Sequence, residues 1–342
     1  MSVTINEIAD KCGVSTATVS RVLNNSTLVR EDTRQRVLRE IKVNNYQPNL
    51  MARALSKNRT ETLGLCIPPE TVLFSSDYFA GIIQGVGDGA RFHHFDLLFN
   101  IPPAGIPYSY SQSWEMKRCD GVLLIAPLKD DPNLAKLVDM NIPIVLINTV
   151  SENFSCVDID NVAGAYRAVE RLISLGHRRI AVINGLMQGT NGLDRFKGYR
   201  DALRARDIPF DPELVAEGDY DQASGCRAMR KLLTLPKPPT ALFAANDNMA
   251  HGALMAIREA NLKVPGDIAV IGFDDLHIAS LSTPRLTTIR QPLYQLGKAA
   301  VGLLVERIKA RTDRPRKIII EPELVIRESC DPFVTARREI NA

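Results

Sequence analysis

Residues 4–24 read Thr4-Ile5-Asn6-Glu7-Ile8-Ala9-Asp10-Lys11-Cys12-Gly13-Val14-Ser15-Thr16-Ala17-Thr18-Val19-Ser20-Arg21-Val22-Leu23-Asn24. Thr4 and Glu7 have the spacing of a capping box, in which hydroxyl and carboxylate each satisfy a backbone N–H at a helix start. Ile5, Ile8, Ala9 and Cys12 follow at i, i+3, i+4 and i+7, one apolar helix face. Gly13 can take the left-handed conformation that ends a helix, Val14 plugs the turn, and Ser15 caps a second helix over about Thr16–Leu23. Val19, Val22 and Leu23 make its buried side; Thr16, Ala17, Thr18, Ser20 and Arg21 make the other. Two short helices joined by a tight glycine turn form a helix-turn-helix, whose second helix suits the major groove of DNA.

The chemistry of the open face fits that groove. Small Thr16 and Ala17 let the helix start approach base edges, where a methyl can meet the C5-methyl of thymine. Arg21 can fork onto guanine O6 and N7, and Thr18, Ser20 and Asn24 can donate to phosphates. Any short amphipathic pair shows a polar face, so location of charge matters more. Residues 1–60 hold ten Lys/Arg against five acids, a balance of +5, while the remainder holds 32 against 34. A basic head on a near-neutral body is the footprint of a phosphate-backbone binder, and Lys57 belongs to that basic set. A third helix is expected over about Glu31–Asn44, with Val37, Leu38 and Ile41 on its core face and Glu31 and Asp32 in its first turn. Asn45-Tyr46-Gln47-Pro48 breaks it. Residues 49–56 favour helix but have no room for a core of their own.

The run from Val3 to Asn24, with Tyr46-Gln47-Pro48-Asn49 and Ala52-Arg53-Ala54-Leu55, resembles the lactose-repressor/galactose-repressor (LacI/GalR) family. That resemblance implies DNA contacts at Tyr46, Ala52 and Arg53, and a hinge helix over residues 49–56 that forms on operator DNA. It also implies that Leu55 wedges between base pairs at the operator centre, a known way to kink a duplex from the minor groove. Arg30 departs from the pattern, since the family more often caps the third helix with serine.

From Thr62 the pattern turns to apolar strands between amphipathic helices. Strands are expected at Leu63–Ile67, Phe95–Phe99, Gly121–Ile125, Ile142–Ile147, Arg179–Ile183, Ala241–Ala244 and Ile268–Gly272. Helices are expected at Tyr78–Arg91, Asn161–Leu175, Asp194–Arg206, Ala223–Leu233 and Asn248–Ala260. Continuous apolar strands between helices mean parallel sheets covered on both faces, and there are too many for one compact sheet. The expected architecture is therefore an all-α helix-turn-helix head plus an α/β body of two parallel-sheet lobes, like a periplasmic binding protein. Boundaries are expected at 1–48 for the head, 49–61 for the hinge and linker, 62–330 for the body and 331–342 for a tail.

Ligands of such sheets bind beyond the carboxyl ends of the strands. There the sequence places Arg195, Asn246-Asp247 and Asp274-Asp275, groups able to fork onto vicinal hydroxyls or a carboxylate. Asp274 and Asp275 read equally well as loop caps. The family resemblance extends to about Ser329, through Arg195-Phe196-Lys197-Gly198-Tyr199, Ala245-Asn246-Asp247 and Gly272-Phe273-Asp274-Asp275. It implies effector contacts at Arg195, Asn246 and Asp274, with Tyr220 packing on the flat face of the ligand. Asn148 stands where many members have aspartate. The connection from Asn100 to Asp120 looks short and unusual, so contacts from it are not carried over.

Rival functions find less support. Gly85-Val86-Gly87-Asp88-Gly89-Ala90 hints at a nucleotide loop, but it sits in a helical pattern and lacks G-x-G-x-x-G spacing. The five histidines and six cysteines form no metal spacing, and no nucleophile–base pair stands out, so neither enzyme, metal nor cofactor is expected. Residues 1–25 lack the apolar stretch of an export signal, and no apolar run is long enough to span a membrane. The expectation is a cytoplasmic repressor, homodimeric because the tail has no leucine heptad, that reads a pseudo-palindromic operator. Its small-molecule effector is expected to be sugar-like: Arg195 donates, Asp274 accepts and Asn246 does both, while Tyr220 covers a ring. A purine-like effector is the alternative, needing a second aromatic such as Tyr78 or Phe79; a sugar-transport protein is a more distant one.

Overall fold

The computed structural model describes residues 3–46, 59–67, 77–100, 118–127, 142–310 and 314–331, with positions 134 and 137. Two compact units emerge, Met1–Glu61 and Thr62–Ala342. The first holds helices α1 (Ile5–Cys12), α2 (Thr16–Leu23) and α3 (Glu31–Val43). The first two begin as their sequence dictates. The Thr4 hydroxyl accepts from the Glu7 amide while the Glu7 carboxylate accepts from the Thr4 amide at 2.7 Å. Gly13 ends α1 at φ 58°, and Ser15 Oγ caps α2 by accepting from the Thr18 amide. Ile8, Ala9, Cys12, Val19, Val22 and Val37 form the small core. Two expected core residues differ: Leu23 is only half-buried, and Leu38 is 41% exposed because α3 presents Val37 and Ile41 to its partners.

The second unit contains two six-stranded sheets. The first runs β2-β1-β3-β4-β5-β11, built from β1 (Thr62–Cys66), β2 (Asp96–Asn100), β3 (Gly121–Ile125), β4 (Ile144–Ile147), β5 (Ser155–Ile159) and β11 (Lys317–Ile320). All of its pairings are parallel. The second runs β7-β6-β8-β9-β10-β12, from β6 (Ile180–Asn184), β7 (Val215–Glu217), β8 (Ala241–Ala244), β9 (Ala269–Asp274), β10 (Thr287–Arg290) and β12 (Glu323–Val325). It is parallel except for the β10–β12 edge. Helices α4 (Asp77–Phe92) and α10 (Leu293–Ala310) pack with the first sheet. Helices α5 (Asn161–Ser174), α6 (Thr190–Arg204), α7 (Gln222–Leu233), α8 (Asp247–Glu259) and the short α9 (His277–Leu281) pack with the second.

Among the described residues the chain therefore crosses between sheets three times: after β5, after β10, and between β11 and β12. Several elements escape the sequence reading, namely β5, β7, β10, β11, β12, α9 and α10. Helix α6 also begins at Thr190 rather than Asp194. The glycine loop before it closes tightly, and a Cβ at Gly192 would lie 2.3 Å from the Leu186 carbonyl oxygen.

Gly85 and Gly89 have a packing role. They lie inside α4, where a Cβ at Gly85 would sit 2.0 Å from the Tyr294 carbonyl oxygen and one at Gly89 would sit 2.9 Å from Val301 Cβ. Gly297 on α10 reciprocates, 2.2 Å from the Ile82 carbonyl oxygen by the same construction. Small residues thus bring the two helix backbones together. Cys12, Cys66, Cys156 and Cys330 are buried, and Cys119 and Cys226 half-buried.

Candidate functional site

The head presents α2 as its reading element. Thr16, Ala17, Arg21 and Asn24 are exposed, whereas Thr18 and Ser20 are half-buried. Two of the polar groups are already engaged locally. Thr18 Oγ1 lies 3.0 Å from Ser15 Oγ, and Asn24 Nδ2 donates to the Ser20 carbonyl at 2.9 Å. These bonds rigidify both ends of α2, leaving Thr16, Ala17 and Arg21 as its open face. Tyr46 packs against the head core, and burial pushes its phenol pKa up. Ala52, Arg53, Leu55 and Lys57, with the expected hinge helix, lie outside the described residues, as do most of the Asn100–Asp120 connection and the tail beyond Asp331.

The body gathers polar side chains at the carboxyl ends of its strands. Arg195, on the first half of α6, is 2% exposed. Its guanidinium stacks over the Phe273 ring at 3.8 Å, donates from Nε to Asn161 Oδ1 at 2.9 Å, and donates from Nη1 to the Ala245 carbonyl at 2.5 Å. Nη1 also lies 3.5 Å from Asp274 Oδ1. Asp274 ends β9 at φ 115°, a strained conformation for a side-chain-bearing residue, and is 4% exposed. Gln291 Nε2 donates to its Oδ1 at 2.6 Å. Desolvation raises the Asp274 pKa to about 6, against the opposing pull of Arg195.

Asp274 and Asp275, alike in sequence, part company here. Asp275 binds Arg290 at 2.7 Å and Arg327 at 2.6 Å, a structural clasp on β10 and the segment after β12. Asp274 faces Arg195 instead.

Asn246 and Tyr220 form a second pair. Asn246 Oδ1 caps α8 by accepting from the Met249 amide at 2.9 Å, and its Nδ2 donates to the Tyr220 carbonyl at 2.9 Å. Tyr220 sits at φ 70°, with its ring so close to the loop after β6 that a Cβ at Gly185 would lie 2.1 Å from Tyr220 Cζ. Asn246 thus fixes where that ring lies. Both Arg195 and Asp274 act electrostatically on Tyr220.

Asn148 follows β4 at φ 57°, is 1% exposed, and donates from Nδ2 to Tyr78 Oη. Tyr78 starts α4 beside Phe79 and feels the charges of Asp274, Arg195 and Asp158, so it belongs to the same cluster. Sequence reasoning had left Tyr78 unplaced and had missed Asp158, Asn161 and Gln291. A carboxylate inside the apolar run Cys156–Ile159 was the available signal for Asp158. A surface hollow of about 820 Å³ lies apart from this cluster, against β7 and α7, lined by Phe210, Val215, Glu217, Arg227 and Lys231 among others. It touches none of Arg195, Asn246 or Asp274, and a shallow surface hollow lacks the convergent buried polar groups of a ligand site.

Two family patterns match separate parts of the chain. Residues 4–49 match the pattern of bacterial regulatory proteins of the lacI family, and residues 169–330 match a periplasmic binding protein-like domain. The HTH-type transcriptional regulator CelR of Thermobifida fusca is 38% identical over 332 residues, covering 95% of this chain and 98% of the relative. The chain belongs to the LacI family. Another LacI-family relative, the HTH-type transcriptional repressor PurR of Histophilus somni strain 2336, is 36% identical over 95% of this chain and 98% of the relative. Among solved structures, a transcriptional regulator CelR–cellobiose complex aligns at TM-score 0.75 and 37% identity, covering 96% of this chain and 99% of that one. The lac repressor dimer bound to operator and the anti-inducer ONPF aligns at TM-score 0.85 and 27% identity, covering 96% and 99%. The LacI-family chain described here is accordingly a DNA-binding transcriptional regulator with a helix-turn-helix head and a two-lobed α/β body. Among its described residues no helix is long and apolar enough to cross a membrane, and no cluster of His, Cys, Asp and Glu could hold a metal ion.

Proposed function

We propose that the protein is a homodimeric repressor whose two heads read a pseudo-palindromic operator and whose body binds a sugar or close derivative. The observation that carries the effector reading is the buried Arg195–Asp274 pair, with side chains 3% and 4% exposed, set where strand ends converge. Burying a charge pair stabilises little by itself, and such a pair is better suited to orienting hydroxyls. Tyr220, held by Asn246, supplies a flat apolar surface for a ring. The cellobiose held by the relative CelR supports the same class. Binding, not catalysis, is the role assigned to these residues. Lobe closure around the ligand would alter the geometry offered to the heads, which couples effector and operator affinity reciprocally.

A purine-like effector is the second reading, and the placement of Tyr78 favours it. Tyr78 and Tyr220 both lie within electrostatic reach of Arg195 and Asp274, so an aromatic is available beyond Tyr220. A thermal-shift screen of sugars, sugar phosphates and nucleobases separates the two, since a ligand of the folded state raises Tm. A shift with a saccharide that is lost in both Arg195→Ala and Asp274→Ala is the expected result. A normal response in both variants would place the effector site elsewhere.

A further inference from the structure

A chain of side chains links the two sheets through their crossing points. Asn161 Nδ2 donates to Asp158 Oδ1 at 3.2 Å, Arg195 Nε donates to Asn161 Oδ1, Arg195 approaches Asp274, and Gln291 Nε2 donates to Asp274. Asp158 lies on β5 of the first sheet and Asp274 on β9 of the second. Asp158 is 0% exposed and sits among Cys156, Val157 and Ile159. Its Oδ1 also accepts from the Ile159 amide at 2.7 Å, but its Oδ2 is buried with no donor. Asn148 Oδ1, Asn184 Oδ1 and Gln291 Oε1 are likewise buried acceptors without a donor. A buried acceptor without a donor from the protein costs folding free energy, so such groups call for a partner from outside the chain.

We propose that Asp158 is an effector-binding residue of the first lobe and that the cleft selects an uncharged, hydroxyl-rich ligand over its phosphorylated counterpart. The unmet groups of the cluster are carboxylate and amide oxygens, with the Thr190 hydroxyl at the start of α6 able to donate as well as accept, so the complementary ligand must bring mainly donors. Sugar hydroxyls do so, whereas a phosphate oxygen offers only more acceptors. Charge points the same way. The cluster's one arginine, with Nε and Nη1 already committed, faces two buried carboxyl groups, so it holds no surplus positive charge for a ligand anion. Asp194 adds to the negative field at Asp158. Burial raises the Asp158 pKa to about 7, so hydroxyls donated to Oδ2 would stabilise the carboxylate that the ligand-free fold disfavours.

This inference rests on the sugar reading above, and one experiment tells their failures apart. Full-length protein is titrated calorimetrically with cellobiose, lactose and maltose, each beside its 6-phosphate, and with hypoxanthine. At least one neutral disaccharide should bind, with its phosphate tenfold weaker or worse. Asp158→Ala should weaken the neutral sugar at least tenfold. Asp158→Asn, isosteric and still able to fold should the alanine variant fail, should narrow the preference for neutral sugar over phosphate. The asparagine variant should also melt higher than the parent without ligand, which a purely structural carboxylate would not allow. Equal or tighter binding of the phosphate, or unchanged sugar affinity in the Asp158 variants, overturns the proposal while leaving the sugar reading intact. Binding of hypoxanthine alone, or of none of these compounds, overturns both.

Discussion

Arg195 and Asp274 stand 3.5 Å apart, almost fully buried, yet the arginine gives its shorter hydrogen bonds to Asn161 and the Ala245 carbonyl. The ion pair is thus one contact within a network that also fixes the β8 loop and the start of α5. Removing either charge leaves the other buried without its partner. Arg195→Ala should therefore destabilise the protein by about 3–5 kcal/mol, measured by chemical denaturation, with Asp274→Asn less damaging because an amide can still hold Gln291. Equal stability of Arg195→Ala and the parent would show that the pair is relaxed by solvent.

Specificity on DNA should rest on Arg21. Arg21→Ala is expected to cost about 1–3 kcal/mol at one base position and relax preference there. Binding to a set of single-base operator variants measures this. A uniform loss on every sequence would reassign Arg21 to phosphate.

Helix α3 starts at Arg30 with no side-chain cap, at φ −59° and ψ 144°, an extended backbone suited to a capping residue. Arg30→Ser should stabilise the head by about 0.5–2 kcal/mol. Thermal melting of the head's transition in the full chain is the check, and a lower Tm would show that Arg30 has another structural partner.

The contact of α4 with α10 should tolerate no added methyl. Gly85→Ala would drive a Cβ into the Tyr294 carbonyl, and overpacking of this kind costs about 1–3 kcal/mol or more. Gly87→Ala, on the same helix with nothing within 4 Å of the new Cβ, should be neutral or stabilising. Comparing the two melting curves separates packing from helix propensity.

Stability of the ligand-free protein should fall as pH rises from about 4 to 7. The Asp158 pKa goes from 3.8 in the ordinary state to about 7 in the fold, where burial outweighs Arg195 and the Ile159 amide. Between those values the folded chain holds a proton that the unfolded chain releases, so the free energy of unfolding falls as pH rises. Asp274, raised to about 6, acts in the same direction over a narrower window. Asp158→Asn should flatten the slope, read from urea midpoints at several pH values; an unchanged slope would mean that Asp158 titrates as an ordinary carboxylate.

Much of this architecture was legible from local chemistry. The Thr4–Glu7 box, the Gly13 stop and the Ser15 cap each rest on residues a few positions apart, and the structure holds all three. Strand Gly121–Ile125 was equally plain, being apolar throughout. Strand β5 hid because Ser155 and Asp158 interrupt its apolar run, and α10 because buried residues from Leu296 to Ile308 cover most of its circumference, blurring the helical period. The sequence also offered Asp274 and Asp275 as equals, and only their partners, Arg195 for one and Arg290 with Arg327 for the other, distinguish them. The Asp158–Asn161–Arg195 link joins residues up to 37 positions apart through two crossing lobes, a relation that no spacing rule encodes.

The threefold crossing between sheets has a consequence for synthesis on the ribosome. Neither sheet gains its last strand until β11 and β12, residues 317–325, have emerged, although the first sheet's opening strand appears some 250 residues earlier. At about 5–20 residues per second the β5 edge of the nascent first sheet waits roughly 8–30 seconds for β11. Helix α10, which covers β3, β4 and β5, arrives almost as late. A premature stop between β10 and β11 would thus leave two open sheets rather than one finished lobe and one broken one. Exposed strand edges and apolar faces make such fragments prone to aggregate and to be degraded. Quality control on this chain falls at its end, when a short pair of strands closes both halves together.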